Sequence, residues 1–188
     1  MVAAMDEGLS TRDRLVTVAA RLFRQRGYHG TGIAEVLAQA GVPKGSLYHH
    51  FPKGKEDLAQ AAAVWTVGML ERVAADAFGP AADFPSGAAT FCFKLAKLFD
   101  MSDSADSCPI QALIFDGPEG AAFRGQAAAL FDRLIGAVAA QAVRLGLEPE
   151  AAREAAETLL IAVEGGWTLA RARRSSAVLR SIPARLYR

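Results

Sequence analysis

The chain has 188 residues, 52% of them hydrophobic and 22% charged, with a formal net charge of +1. That is enough apolar material for a substantial core in one or two domains, with no compositional case for disorder. Two cysteines (Cys92 and Cys108) are too few for a disulfide framework and match no metal spacing, and no run approaches the roughly 18 apolar residues of a membrane span. Asp6 and Glu7 stand where a signal peptide would need an apolar core, so a soluble, cytoplasmic protein is expected.

Alanine is abundant, strand-like alternation is scarce, and long stretches carry helical periodicity, which predicts an all-α fold of about nine helices. Residues 1–9 read as a tail. Ser10 or Thr11 can cap a first helix, with Asp13 as a weak capping-box partner, and Leu15, Val18, Ala19, Leu22 and Phe23 make its apolar stripe. Gly27 is expected to end that helix. Thr31 then stands as N-cap to a second helix with Ile33, Val36 and Leu37 on one face, and Gly41 is its left-handed stop. Pro43 opens a third, in which Leu47 and Phe51 can bury while Lys44, Gly45, Ser46, Tyr48 and His49 face outward. Three helices in about 40 residues, the last two joined by a tight turn, form a helix-turn-helix.

A longer helix over about 55–78 follows, with Leu58, Ala62, Trp65, Met69 and Val73 expected on its buried face. Gly79-Pro80 ends it, and a loop through Pro85-Ser86-Gly87 leads into a helix over about 86–101. A polar connector and Cys108-Pro109 precede a short helix with Ile110, Leu113 and Ile114. Two long helices come next, about 119–145 and 149–173. The second shows Ala152, Ala156, Leu159, Leu160, Val163, Gly166, Trp167 and Ala170 at helical spacing. Its Gly165-Gly166 pair costs a free helix about 1 kcal/mol per glycine, which suggests close helix approach or a widened cavity. A last helix covers about 175–186.

Charge distribution says more than the net. Residues 1–58 hold 8 Lys/Arg against 6 Asp/Glu, and residues 59–188 hold 13 against 14. Between 44 and 55 lie three lysines, two histidines and no acid. An outward face of Lys, Gly, Ser, Tyr and His beside these lysines suits a phosphate-lined groove. Arg12 and Arg14 can track phosphate from the first helix or simply be solvated. His49-His50 makes a poor metal site, because neighbouring helical residues point about 100° apart.

Phe23-x-x-x-Gly27-Tyr28, Thr31, Ile33, the GVPKGSLYHHF run at 41–51 and Lys55-Glu56-x-Leu58 together resemble the tetracycline-repressor (TetR) family of bacterial transcriptional regulators. Cys108-Pro109-Ile110 and the 164–172 stretch (EGGWTLARA) resemble its lincomycin-resistance-type repressors, which control multidrug efflux genes. The resemblance implies a homodimeric repressor of double-stranded operator DNA with a small-molecule inducer; no cofactor and no metal are expected. Residues 1–54 would be the DNA-binding domain and residues 55–188 the ligand-binding and dimerisation domain. By position, Lys44, Gly45 and Tyr48 would meet bases or adjoining phosphates, and Thr31, Ser46, His49 and Lys55 would meet phosphate. Pro43 departs from the serine or threonine often found there, which removes one phosphate-binding hydroxyl.

Trp65, Met69, Phe91 and Leu95, with Phe99, Phe115, Phe131 and Trp167, are either ordinary core or the lining of a pocket for an apolar, planar effector. Leu159, Leu160, Val163 and Trp167, with Val178, Leu179 and Ile182, are either intramolecular core or, as the family implies, a four-helix dimer bundle. An enzyme is disfavoured, since no nucleophile triad, metal spacing or phosphate loop appears and all three histidines lie within 29–50. A constitutive DNA-binding protein without a ligand is the other alternative. Buried structural cysteine is the expected role of Cys92 and Cys108, against a redox switch, because nothing basic adjoins either one.

Overall fold

The structure, a computed structural model, describes residues 9–102 and 121–187. These residues form eight α-helices and no strand, as the all-α reading expects. The short helix expected near 110–114 lies outside them, as do Cys108 and Phe115. The described residues cluster into two compact units, one of 9–66 with 121–126 and the other of 67–102 with 127–187.

In the first unit, α1 (Thr11–Gly30) starts at Ser10, whose hydroxyl oxygen accepts the Asp13 N–H at 3.1 Å and donates to the Asp13 carboxylate at 2.7 Å. Leu15, Leu22 and Phe23 turn inward and are buried. Gly27 breaks the helix as expected: its φ of 70° and ψ of 173° are backbone that glycine adopts at little cost, and beyond that kink a short turn runs to Gly30. Thr31 therefore follows α1 as its C-cap, and its hydroxyl donates back to the Gly27 carbonyl at 2.9 Å. This corrects the N-cap expectation, because α2 (Ile33–Ala40) begins after Gly32, with no side-chain cap.

Gly41 has φ 62° and ψ 39°, and its N–H and that of Val42 return to the carbonyls of Ala38 and Leu37, closing α2 as predicted. Pro43 is the N-cap of α3 (Lys44–His50). α1, α2 and α3 pack pairwise, and the Leu47 and Phe51 side chains fill the space among them. Gly54, at φ 64°, turns the chain into α4 (Lys55–Phe78).

On α4 the buried positions are Leu58, Ala59, Ala62, Ala63, Thr66, Val67, Leu70, Ala74, Ala77 and Phe78. Trp65 is 37% exposed, and Met69 and Val73 are half-buried, so the expected face is rotated by about one residue. The physical reason is the abundance of alanine, which lets a smooth small-residue face pack closely and leaves the bulky residues at its edge.

In the second unit, α5 (Phe84–Met101) starts two residues before its expected position. Asp83 caps it by accepting the Ser86 N–H at 2.8 Å, and Pro85 occupies the first turn, where its missing N–H costs nothing. Gly87, expected in a loop, is helical, and a Cβ there would run into the ring of Phe78. α6 (Ala121–Arg144) ties to α4 through Arg133, which bonds the Glu71 carboxylate with Nε at 2.7 Å and also with Nη2, and through Arg144 Nη2, which donates to the Phe78 carbonyl at 2.7 Å.

α7 (Pro149–Arg173) buries all eight of the residues predicted for its inner face. α8 (Ala177–Leu186) packs on both α5 and α7. Gly166 is what lets α8 approach, since a Cβ there would lie 2.8 Å from Cδ1 of Ile182. Gly165 faces open space and shows no such constraint.

This packing bears on the apolar residues of α7 and α8. Leu159, Leu160, Val163, Trp167, Leu179 and Ile182 are each at most 5% exposed in a single chain, and Val178 is half-buried. Their area goes to this chain's own core. The large apolar residues that α7 leaves exposed are Ile161 (68%) and Leu169 (47%).

Candidate nucleic-acid interface

The outward face of α3 is set by its two inward anchors. Leu47 is fully buried, as is Phe51 one turn on, so the positions one and two residues to either side of Leu47 turn away from the core. Lys44, Gly45, Tyr48 and His49 are exposed and Ser46 is half-buried, its N–H bonded to the Pro43 carbonyl. Tyr48 leaves 51% of its area in solvent, unusual for a large aromatic side chain with no covering element. A Cβ on Gly45 would meet nothing within 4 Å, so no neighbour in the described structure requires a glycine there.

Two acids of this unit are engaged by other partners. Glu35 on α2 accepts two bonds from Arg26 Nη1 at 2.7 and 2.8 Å, and Asp57 accepts the Lys53 N–H at 2.8 Å. Arg21 bonds Gln39 at 2.6 Å. The α3 face thus keeps its positive character, with Lys44 and Lys53 exposed and Lys55 half-buried at the start of α4.

In this unit two cations lie over rings: the Lys55 ammonium is 4.4 Å from the centroid of Tyr28, and the Arg12 guanidinium is 5.5 Å from that of Phe51. Burial pulls the Lys55 pKa below the ordinary lysine value and raises that of Tyr28, to which Glu56 adds. Thr31 does not join this surface. It is 1% exposed, with its hydroxyl and its N–H both directed back to α1. Tyr28 and Arg26 were not singled out as site residues in the sequence. Only the Gly27-Tyr28 pair in the family-like motif pointed toward the first of them.

The expected effector residues separate. Phe91, Leu95, Phe99 and Trp167 are buried, with Phe99 and Trp167 in edge-to-face contact at 5.5 Å and Phe91 against Phe78 at 6.2 Å. Phe131 and Met69 are half-buried and Trp65 is more exposed still. An open groove of about 610 Å³ lies elsewhere, between α5 and α8, lined by Pro85, Phe93, Arg180, Pro183 and Tyr187 among others. Among the described residues, no group of three His, Cys, Asp or Glu side chains is placed to hold a metal ion. None of their helices is long and apolar enough to cross a membrane.

Cys92 is fully buried and its thiol is pushed up to about 12 by desolvation. A thiol-specific reagent at pH 8 is therefore expected to leave Cys92 unmodified in a folded Cys108→Ser variant and to label it only in denaturant. Rapid labelling of the folded protein would show an accessible thiolate.

Comparison with known proteins agrees with this architecture. Residues 15–62 match the model of the bacterial regulatory proteins of the tetR family, and residues 86–185 match that of the C-terminal domain of LmrA/YxaF-like transcriptional regulators. The HTH-type transcriptional regulator YxaF of Bacillus subtilis is 36% identical over 103 residues, which cover 55% of this chain and 54% of that one, so the match spans about half the length of this relative. The HTH-type transcriptional regulator Rv0196 of Mycobacterium tuberculosis is 31% identical over 169 residues, covering 87% of this chain and 85% of that protein. A TetR transcriptional regulator from Legionella pneumophila superposes with a TM-score of 0.77 at 22% identity, over 94% of this chain and 95% of that one, which places the fold. Relatives named as transcriptional regulators, and not as enzymes, thus bracket the whole described fold, and the chain belongs to the TetR family of bacterial regulatory proteins, with a C-terminal domain of the LmrA/YxaF-like group.

Proposed function

We propose that this chain is a cytoplasmic, homodimeric repressor that binds double-stranded operator DNA and is released by a small hydrophobic or planar aromatic effector, controlling a multidrug efflux gene. Residues 1–54 form the DNA-binding domain in this reading, and residues 55–188 hold the effector and the partner subunit. The observation that carries it is the acid-free outward face of α3, with an exposed Tyr48 and a Gly45 that no neighbour in the described structure explains.

Lys44, Gly45 and Tyr48 approach the bases in the major groove, and Lys44 reaches guanine acceptors or phosphate. Ser46, His49 and Lys55 contact the backbone. Thr31 acts one step removed, through the α1–α2 turn that its hydroxyl secures. One half-site offers few phosphate contacts, so pairing two recognition helices is what raises affinity to a useful level. α7 and α8 supply that pairing through their outward residues.

The effector lies among the aromatic residues of the C-terminal helices, where the buried residues Phe91, Phe99 and Trp167 favour an apolar ligand over an anion. It acts only through its different affinity for the DNA-bound and released states.

The test is binding of the full chain to duplex DNA across a salt series. Lys55→Ala is expected to weaken binding to every duplex nearly uniformly and to lower the salt slope by about 1. Tyr48→Ala should reduce the preference for the protein's own upstream DNA over a mixed-sequence duplex. Parent protein with no affinity for either duplex sinks the reading, and parent-like behaviour of both variants moves the surface elsewhere. Planar apolar compounds that neither release the DNA nor raise the melting temperature remove the effector from it.

A further inference from the structure

We propose that Tyr28 is a positioning residue for DNA binding, its ring holding the Lys55 ammonium at the surface that meets phosphate; this rests on the DNA-binding reading above. The Lys55 Nζ lies 4.4 Å from the Tyr28 ring centroid. The ring itself is braced from behind, its centroid 5.8 Å from that of Phe23, which is fully buried in the α1–α3 core. Gly27, with its left-handed backbone, is what turns the chain so that Tyr28 leaves the line of α1. A fixed ring on one element thus faces a flexible lysine on another.

Lys55 needs such a support. It is the first residue of α4, where the free backbone N–H groups carry positive partial charge, so the helix dipole opposes a cation there. It makes no ion pair among the described residues, and the nearby Asp57 carboxylate is taken by the Lys53 N–H. The π face of Tyr28 offsets the dipole without pairing the charge, and although Glu56 is close enough to act on Tyr28, it forms no ion pair with Lys55. The ammonium keeps its full attraction for a phosphate and loses rotamer freedom before binding instead of during it. A side chain ordered in advance binds more tightly than the same side chain left to wave. The partial desolvation of Lys55 strengthens the ring contact.

A double-mutant cycle on the full chain tests this, with a mixed-sequence duplex as probe because phosphate contacts do not depend on sequence. Tyr28→Leu is expected to weaken binding about threefold to tenfold, the range that a cation–π contact of ordinary strength converts to. Tyr28→Phe, which keeps the ring, should bind like the parent. In the K55A background Tyr28→Leu should cost nothing further. The ε-methylene protons of Lys55 should resonate upfield in the parent and in Tyr28→Phe, and return to ordinary values in Tyr28→Leu. Thermal melts identify a variant that has lost its fold, and the phenylalanine variant then carries the test.

An equal loss from Tyr28→Leu in both backgrounds overturns the proposal in favour of a purely structural tyrosine. So does Tyr28→Phe binding as poorly as Tyr28→Leu, or Tyr28→Leu binding like the parent while K55A is weak. A parent that binds no duplex overturns both this proposal and the reading beneath it, whereas a weak K55A with an inert Tyr28 overturns this one alone.

Discussion

Trp167→Ala is expected to lower the unfolding free energy by about 3–5 kcal/mol, as truncation of a large buried aromatic does. Trp167 is 2% exposed and meets Phe99 of α5 edge-on at 5.5 Å, so removing it leaves a cavity where α7 packs on its neighbours. Gly166, immediately before it, has already brought α8 close enough that Ile182 occupies the space where a Cβ would stand. The backbone there has little freedom to collapse into the gap, which favours the upper end of the range. Domains are stable by roughly 5–15 kcal/mol, so the change consumes a large share of the total. At about 2–4 °C per kcal/mol for a chain of this size, melting should fall by about 10 °C.

A chemical-denaturation curve settles the role of this residue. A loss under about 1 kcal/mol would mean that Trp167 contributes little to the packing of α7 on its neighbours. Ile161→Ala is the matched control from the same helix: 68% exposed, it should change the stability of the chain by no more than about 0.5 kcal/mol.

The inner face of α7 was legible in the sequence because large and small apolar residues alternate with charged ones, leaving a single register that buries them. Ala152, Leu159, Val163 and Trp167 sit where that register puts them. On α4 the same method slipped. Alanines at 59, 61, 62 and 63 surround the helix, and an alanine contributes to a buried face without announcing which one it is. The tryptophan and methionine then attract the assignment, although packing left Trp65 at the edge.

Turn chemistry shows the same division. Gly41 could be read because a helix stop demands a left-handed residue at that point and little else satisfies it. Gly27 could be read as the break in the first helix, but Thr31 could not be placed, because the cap choice depended on the short turn between them. Gly87 looked like loop and proved to be a point of contact with Phe78, a distinction made by a residue nine positions earlier. The exposed half of the candidate site was legible, since Leu47 and Phe51 fix what faces out. Its supporting half was not, because the Tyr28–Lys55 pairing joins side chains 27 positions apart through a geometry that no local pattern encodes.

Gly45→Leu is expected to make the protein more stable and its DNA binding much weaker. Glycine in an α-helix costs about 1 kcal/mol relative to alanine, and leucine is nearly as good a helix former. A Cβ at Gly45 meets nothing within 4 Å, so the new side chain starts into open space and the folded state should gain several tenths of a kcal/mol. On a duplex the same side chain would stand between α3 and the groove. A close approach of backbone to bases cannot absorb four additional carbon atoms, and a loss of at least tenfold, about 1.4 kcal/mol, is expected.

The opposed signs give the test its force. Ordinary damage to a recognition helix lowers stability and binding together, whereas here melting should rise while affinity for the protein's own upstream DNA falls. Gly166→Leu provides the reverse pattern. Its Cβ would press on Ile182 and Leu179, so stability should fall, with DNA binding lost only to the extent that the fold is. A Gly45→Leu protein that binds its duplex as the parent does would show that this face of α3 never comes near the bases, and the glycine would be left with no purpose in either state.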